Sequence, residues 1–128
     1  MALLYPVTHD LSDRVISAAI GVHRQLGPGL LESAYQRCLE MELGARGVRF
    51  ASEVPLHLDY RGGVIQDAYR IDLLVDDRLV VELKSVEKLS PLHTSQVLTY
   101  LKLGGYSAGL LINFNVPVLK DGLKRILL

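Results

Sequence analysis

YRIDLLVDDRLVVELKS, from Tyr69 to Ser85, holds two apolar runs, Ile71 to Val75 and Leu79 to Val81, joined by Asp76, Asp77 and Arg78. Branched apolar residues on both sides of a short polar connection are the sequence form of a β-hairpin. Set into it are Asp72, Glu82 and Lys84. Successive side chains of a strand point to opposite faces, so Glu82 and Lys84 share a face about 6.6 Å apart. A three-residue loop, Asp76 to Arg78, puts Asp72 directly opposite Glu82 with Cβ atoms roughly 5 Å apart, whereas a two-residue loop pairs Glu82 with Ile71. The odd loop is the expected one.

Two carboxylates facing each other on apolar strands repel and lose hydration, so the arrangement costs stability unless a cation lies between them. Aspartate and glutamate oxygens, with no Cys or His beside them in sequence, suit a hard ion such as Mg²⁺ or Mn²⁺ rather than zinc. Lys84, one side chain along the same face, then stands beside whatever anion the metal binds. Metal, carboxylates and an adjacent ammonium together make a site for phosphodiester hydrolysis. The plainer reading of Asp72, Glu82 and Lys84 is a solvent-side ion pair on an amphipathic hairpin, since E-x-K alone is common.

The chain has 128 residues, 49% of them hydrophobic and 22% charged, which is enough for one domain with a real core, residues 1–128. Its formal net charge is zero. A general electrostatic coat for nucleic acid is therefore excluded, and phosphate binding must come from a local patch, for which Arg70, Lys84, Lys88 and Lys102 are candidates. The single cysteine, Cys38, cannot form an internal disulfide and falls on an apolar helical pattern, the position of a buried thiol. MALLYPVTHD at the N-terminus carries neither a basic leader nor a long apolar run, and no stretch approaches a membrane span; a cytoplasmic protein is expected.

The rest of the chain supplies the frame. Asp10 in D-L-S-D is the expected N-cap of a first helix that runs to about Gln25 on Leu11, Val15, Ala18, Val22 and Leu26. His23, beside that stripe, is expected to be partly buried without a role. Gly27-Pro28-Gly29 stops this helix, and a second runs from near Leu30 to about Ala45, with Tyr35, Leu39 and Leu43 inward and Glu32 on the same stripe. A carboxylate in a first helical turn has an ordinary explanation in the helix dipole. Here it also points a third carboxylate toward Asp72 and Glu82. Glu53 to Tyr60 alternates as a half-buried strand with Val54, Leu56, Leu58 and Tyr60 on one face, and Pro55 marks an edge. Arg61-Gly62-Gly63 turns into the strand carrying Asp72. Beyond the hairpin, Ser90-Pro91 caps a helix that ends at Leu103 before Gly104-Gly105, with Gln96 and Tyr100 on one face and His93 a turn earlier. Ala108 to Phe114 is a buried strand that should run parallel to the Glu82 strand through a right-handed crossover. The tail from Val116 reads equally as an edge strand or an irregular segment.

In order, G29-L-L-E32-S-A-Y35 resembles the motif that gives the GxxExxY family its name, and D72, E82-L-K84 and Q96-V-L-T-Y100 resemble the motif series of PD-(D/E)XK nucleases. The similarity runs from about Leu11 to Ile126. It implies a mixed α/β restriction-endonuclease-like core, ordered helix, helix, three antiparallel strands, helix, parallel strand. It further implies that Glu32, Asp72 and Glu82 are acidic metal-site residues, the Leu83 carbonyl a further ligand of Mg²⁺ or Mn²⁺, and Lys84 the catalytic lysine. Tyr35, Arg70, Gln96 and Tyr100 are the implied substrate-lining residues. The proline that precedes the aspartate in the superfamily is Ile71 here, a change that removes no functional group. The implied activity is a Mg²⁺-dependent nuclease acting on nucleic acid, DNA first. The alternative is a nuclease-fold module that binds nucleic acid or a protein partner without cutting. A homodimer is compatible with either.

Overall fold

The computed structural model describes residues 4–128, with side chains from residue 10 onward. Residues 1–3, part of the N-terminal segment read as lacking a leader, lie outside the described residues. Two helices come first, α1 (Leu4–Leu26) and α2 (Glu32–Ala45), followed by strands β1 (Phe50–Tyr60), β2 (Gly63–Val75) and β3 (Leu79–Lys84). Helix α3 (Pro91–Gly104) leads to β4 (Ala108–Asn113), a 3₁₀ turn at Leu119–Gly122, and β5 (Leu123–Leu127). The strands lie side by side in chain order, antiparallel except for the parallel pair β3 and β4. This is the mixed α/β architecture of a restriction-endonuclease-like core.

α1 begins before Asp10, so Asp10 lies within the helix and does not cap it. The cap signal is overridden because Pro6 sits in the first turn, where its missing N–H has no helical partner to lose. Ser90 and Pro91 do start α3, and the Ser90 N–H donates to His93 Nδ1 at 3.0 Å. Gly105, at φ 75°, closes that helix in the left-handed conformation that glycine takes without strain.

Two apolar clusters sandwich the sheet. α1 and α2 pack through Val15, Ala18, Tyr35 and Leu39 against Leu73, Val75, Val81, Leu83, Leu110 and Ile112. Val97, Tyr100 and Leu101 of α3 pack against Ile71, Leu74, Val80 and Leu111. Gly109 of β4 makes the second contact close: a Cβ there would stand 2.7 Å from Val97 Cγ1. His23 is buried, and its Nε2 lies 2.8 Å from the Val116 carbonyl, which ties α1 to the segment after β4. Cys38 is only half-buried, because it sits at the flank of the Tyr35, Leu39, Leu43 stripe rather than on it. The tail forms the edge strand β5, whose Ile126 is buried against the α3 cluster.

Strand alternation fails at one level of the sheet. Leu73 and Val75 belong to the cluster under α1 and α2, and Leu74 to the α3 cluster, as period two demands. Ile71 should then join Leu73, yet it packs in the α3 cluster. β1 does the same: Phe50 packs on the first cluster, Val54 and Leu56 on the second. The break passes through Asp72 and Glu53, which drop out of the β1–β2 register between Ser52↔Leu73 and Val54↔Ile71. Glu53 takes φ 53°, a left-handed backbone uncommon for a residue with a Cβ.

Candidate active site

The β2–β3 loop is the odd one. Val75 pairs with Leu79, Leu74 with Val80 and Leu73 with Val81, across Asp76 and Asp77 in left-handed conformation. The next pair in that register is Asp72 with Glu82, and there the backbone pairing stops. Side chains take over. The Asp72 N–H donates to Glu82 Oε1 at 2.9 Å, and the Leu83 N–H donates to Asp72 Oδ2 at 2.9 Å. An orphaned N–H between parted strands needs an acceptor, and each carboxylate supplies one.

Electrostatics mark the pair as strained. Burial above all, then repulsion from Asp72, pushes the Glu82 carboxyl up to about 8, against the relief given by the Asp72 N–H and Lys84. Burial likewise raises Asp72 to about 6, opposed by the Leu83 N–H, with Glu53 and Glu32 adding repulsion and Lys84 relieving it. At neutral pH a proton or a metal cation has to offset this charge. Lys84 is half-buried on the exit of β3, and its carbonyl accepts from Phe114 N at 3.0 Å, which fixes the strand end against β4. Asn113, buried at the end of β4, holds the next turn of chain: its Oδ1 accepts from Val86 N at 3.1 Å and its Nδ2 donates to Val86 O at 2.9 Å.

Glu32, at the start of α2, is exposed and reaches the same strand end, where its Oε2 accepts from Ser85 N at 3.4 Å. One helical turn on, Gln36 lies with Nε2 2.9 Å from Glu53 Oε2 and 3.3 Å from the Asp72 carbonyl. Gln36 and Glu53 thus stand at the site beside the three expected carboxylates. Gln36 was legible as the residue four after Glu32 on one helix face. Glu53 was not, because alternation assigned it to the outward side of β1 and nothing in the sequence announced its left-handed backbone.

The substrate-lining expectations divide. Gln96 and Tyr100 meet, Gln96 Nε2 donating to the Tyr100 hydroxyl at 2.9 Å. Tyr100 is buried, and burial with the nearby Glu82 pushes its phenol up to about 12, so it stays protonated and offers no open ring face for stacking. Tyr35 is elsewhere: fully buried, stacked on Phe114 at 4.4 Å between ring centroids, its hydroxyl donating to the Gly27 carbonyl. It locks the Gly27–Gly29 turn to α2 and lines no surface, because a large ring on the inward stripe is core before it is anything else. Arg70 is exposed on β2 opposite Pro55.

Among the described residues, no three His, Cys, Asp or Glu side chains stand close enough together to hold a metal ion. The donors at the parted strands nevertheless fit a hard cation. Asp72 and Glu82 each keep one carboxylate oxygen free of backbone hydrogen bonds. The Leu83 carbonyl, facing the same side of its strand as the Leu83 N–H, looks into the gap where pairing has stopped. Mg²⁺ is commonly held by one or two carboxylates, with water and substrate phosphate completing six oxygens.

No helix among the described residues is long and apolar enough to cross a membrane. No curated protein and no solved structure matches the chain. A family model described as the PD-(D/E)XK nuclease superfamily matches residues 9–126. That span reaches into both helical layers and all five strands and covers every residue of the parted hairpin, and the chain belongs to the PD-(D/E)XK nuclease superfamily.

Proposed function

We propose that this protein is a divalent-metal-dependent nuclease that hydrolyses phosphodiester bonds of nucleic acid, DNA in the first instance, and that it is of the GxxExxY group. The observation that carries the reading is the parted hairpin, where Asp72 and Glu82 face each other under mutual repulsion with Lys84 beside them. Superfamily nucleases generally use divalent ions such as Mg²⁺, and Asp72, Glu82 and the Leu83 carbonyl are the residues that would hold one, while Glu32 stands at the same strand end on the Ser85 N–H. Such an ion lowers the pKa of a bound water and offsets charge on the phosphate.

The chain's own groups do the rest. The Lys84 ammonium, set next to two carboxylates, orients the attacking water and offsets the negative charge that grows on the phosphoryl oxygens. The Asp72 and Leu83 N–H groups hold the two carboxylates in fixed orientation, so that little reorganisation is needed when substrate arrives. Gln96 and Tyr100, joined to one another, form the wall on the α3 side. The test is cleavage of single- and double-stranded DNA and RNA with Mg²⁺, Mn²⁺ or chelator. Metal-dependent products are expected, with Lys84→Ala slower by on the order of a hundredfold or more. No metal-dependent product from wild type would sink the reading and favour a module that binds without cutting, and equal product from wild type and Lys84→Ala would remove Lys84 from the mechanism.

A further inference from the structure

An open groove of about 410 Å³ adjoins the parted strands, with Lys84 at one end and the first turns of α3 along its length. Tyr69 of β2 forms one wall; its ring meets Tyr100 at 5.7 Å between centroids, tilted 52°. Tyr69 is 37% exposed and Leu92, across α3's first turn, 77% exposed, so the groove offers apolar and aromatic surface to solvent. Its polar groups are partly engaged with one another, the Thr99 hydroxyl donating to the Ser95 carbonyl. His93 accepts from Ser90 N with Nδ1, which leaves Nε2 as its remaining donor. Gln96 gives one amide N–H to Tyr100, which leaves its second N–H and its carbonyl oxygen. Lys84 is the only lysine or arginine among the described residues that line the groove.

That inventory discriminates between kinds of nucleic acid. Duplex binding rests on many phosphate contacts, and each needs a cation. One lysine in the groove, on a chain of zero net charge, does not provide them. A base freed from its pair presents a flat π face and an edge of donors and acceptors, which a tyrosine ring, a leucine and a few amide or imidazole groups can match. The phosphate attached to such a base would lie toward Lys84, the residue the groove shares with the parted strands.

We propose that this groove is a subsite for one unpaired nucleotide next to the phosphate that is cut. Its base lies against Tyr69 and Leu92, with His93 Nε2–H and the Gln96 carbonyl meeting the base edge. The preferred substrate is then single-stranded, frayed or flapped nucleic acid rather than continuous duplex. The inference rests on the nuclease reading for its biological sense, but not for its test.

The test is fluorescence anisotropy in chelator, with a short labelled single-stranded DNA and the same sequence as duplex. Wild type should bind the single strand more tightly. Tyr69→Ala should weaken single-strand binding about five- to a hundredfold, the loss of one base stacked on an aromatic ring, and leave duplex binding unchanged. Tyr69→Phe should bind as wild type. Leu92→Ala, at a position too exposed to disturb folding, should weaken the single strand in the same sense. Equal losses for single strand and duplex, or no loss in either alanine variant, overturns the subsite, as does a wild type without single-strand affinity. Cleavage separates the two claims. Metal-dependent hydrolysis with unaltered binding in the variants keeps the nuclease and ends the subsite. Single-strand binding that depends on Tyr69, with no hydrolysis, does the reverse.

Discussion

The two ends of the β2–β3 hairpin are built from the same strands and behave in opposite ways. At the turn, Leu73, Leu74, Val75, Leu79, Val80 and Val81 are all buried and pair backbone to backbone. One residue further on, the ladder gives way to two carboxylates that accept the N–H groups the ladder would have bonded. The turn end is held by apolar burial and peptide hydrogen bonds, which do not respond to pH or to ions. The open end is held by groups whose charge is unfavourable where they stand. A charged cleft is thereby made with the Asp72 and Leu83 N–H groups still bonded, and no buried side-chain nitrogen or oxygen among the described residues lacks a partner.

The comparison can be broken most forcefully at the turn end. Leu73→Ala should cost about 2–5 kcal/mol, as for other fully buried leucines, and the loss in urea unfolding should be the same with Mg²⁺ or with chelator. A loss that shrinks with Mg²⁺ would mean the two ends are not separable. The open end should instead answer to pH. Glu82 rises from an ordinary 4.5 to about 8 and Asp72 from 3.8 to about 6 on folding, so the folded protein holds these protons more tightly than the unfolded chain. Their contribution to stability is therefore full below about pH 4 and is lost as pH rises, Asp72's by about 6 and Glu82's by about 8. In chelator, wild type should lose up to about 1.4 kcal/mol per pH unit for each such proton. Glu82→Gln keeps an oxygen for the Asp72 N–H and removes the charge. It should flatten the slope and be at least as stable as wild type near pH 8; a less stable variant there would point to a plain ion pair with Lys84.

Metal sharpens the same contrast more gently. At ten times its dissociation constant Mg²⁺ should stabilise wild type by about 1.4 kcal/mol, read as a rise in Tm, and Glu82→Gln by clearly less. An equal rise in both would remove Glu82 from the ligand set. Smallest of all is Asp77→Gly at the exposed turn, where φ is 56°. Glycine relieves the left-handed strain but loosens the unfolded chain and gives up an exposed contact with Arg49, so the net change should stay within about 1 kcal/mol, independent of pH and metal.

How much of this was legible follows from how local each signal is. The odd loop, the parallel fourth strand and the edge position of Pro55 follow from runs, spacing and breakers close together in the chain, and the strand pairing has all three. Asp72 and Glu82 were readable as partners because ten residues and one turn relate them. Their bonding to backbone N–H groups was not, since strand templates assume that pairing continues. Tyr35 was legible as inward from its stripe with Leu39 and Leu43, and its burial there leaves no surface for the lining role that the motif resemblance implied. Tyr69 passed unnoticed two residues before the hairpin's apolar run, although it, and not Tyr100, keeps an accessible ring. The start of α1 was misplaced by a local cap signal that the rest of the helix outvoted.

The strands follow one another across the sheet in the order in which they are synthesised, and this gives the site two histories. Asp72 and Glu82 are brought together by a three-residue loop, a local closure of the kind that hairpins complete in about 1–10 μs. Glu32 comes from α2, far earlier in the chain, and touches the strand end only through the Ser85 N–H once the helical layer has docked. The acidic groups are therefore held by contacts of different range along the chain. Fraying of the first turn of α2 would release Glu32 while the carboxylate pair stayed closed. In native-state hydrogen exchange, the Leu83 amide should persist to nearly global unfolding and the Ser85 amide should exchange well before it.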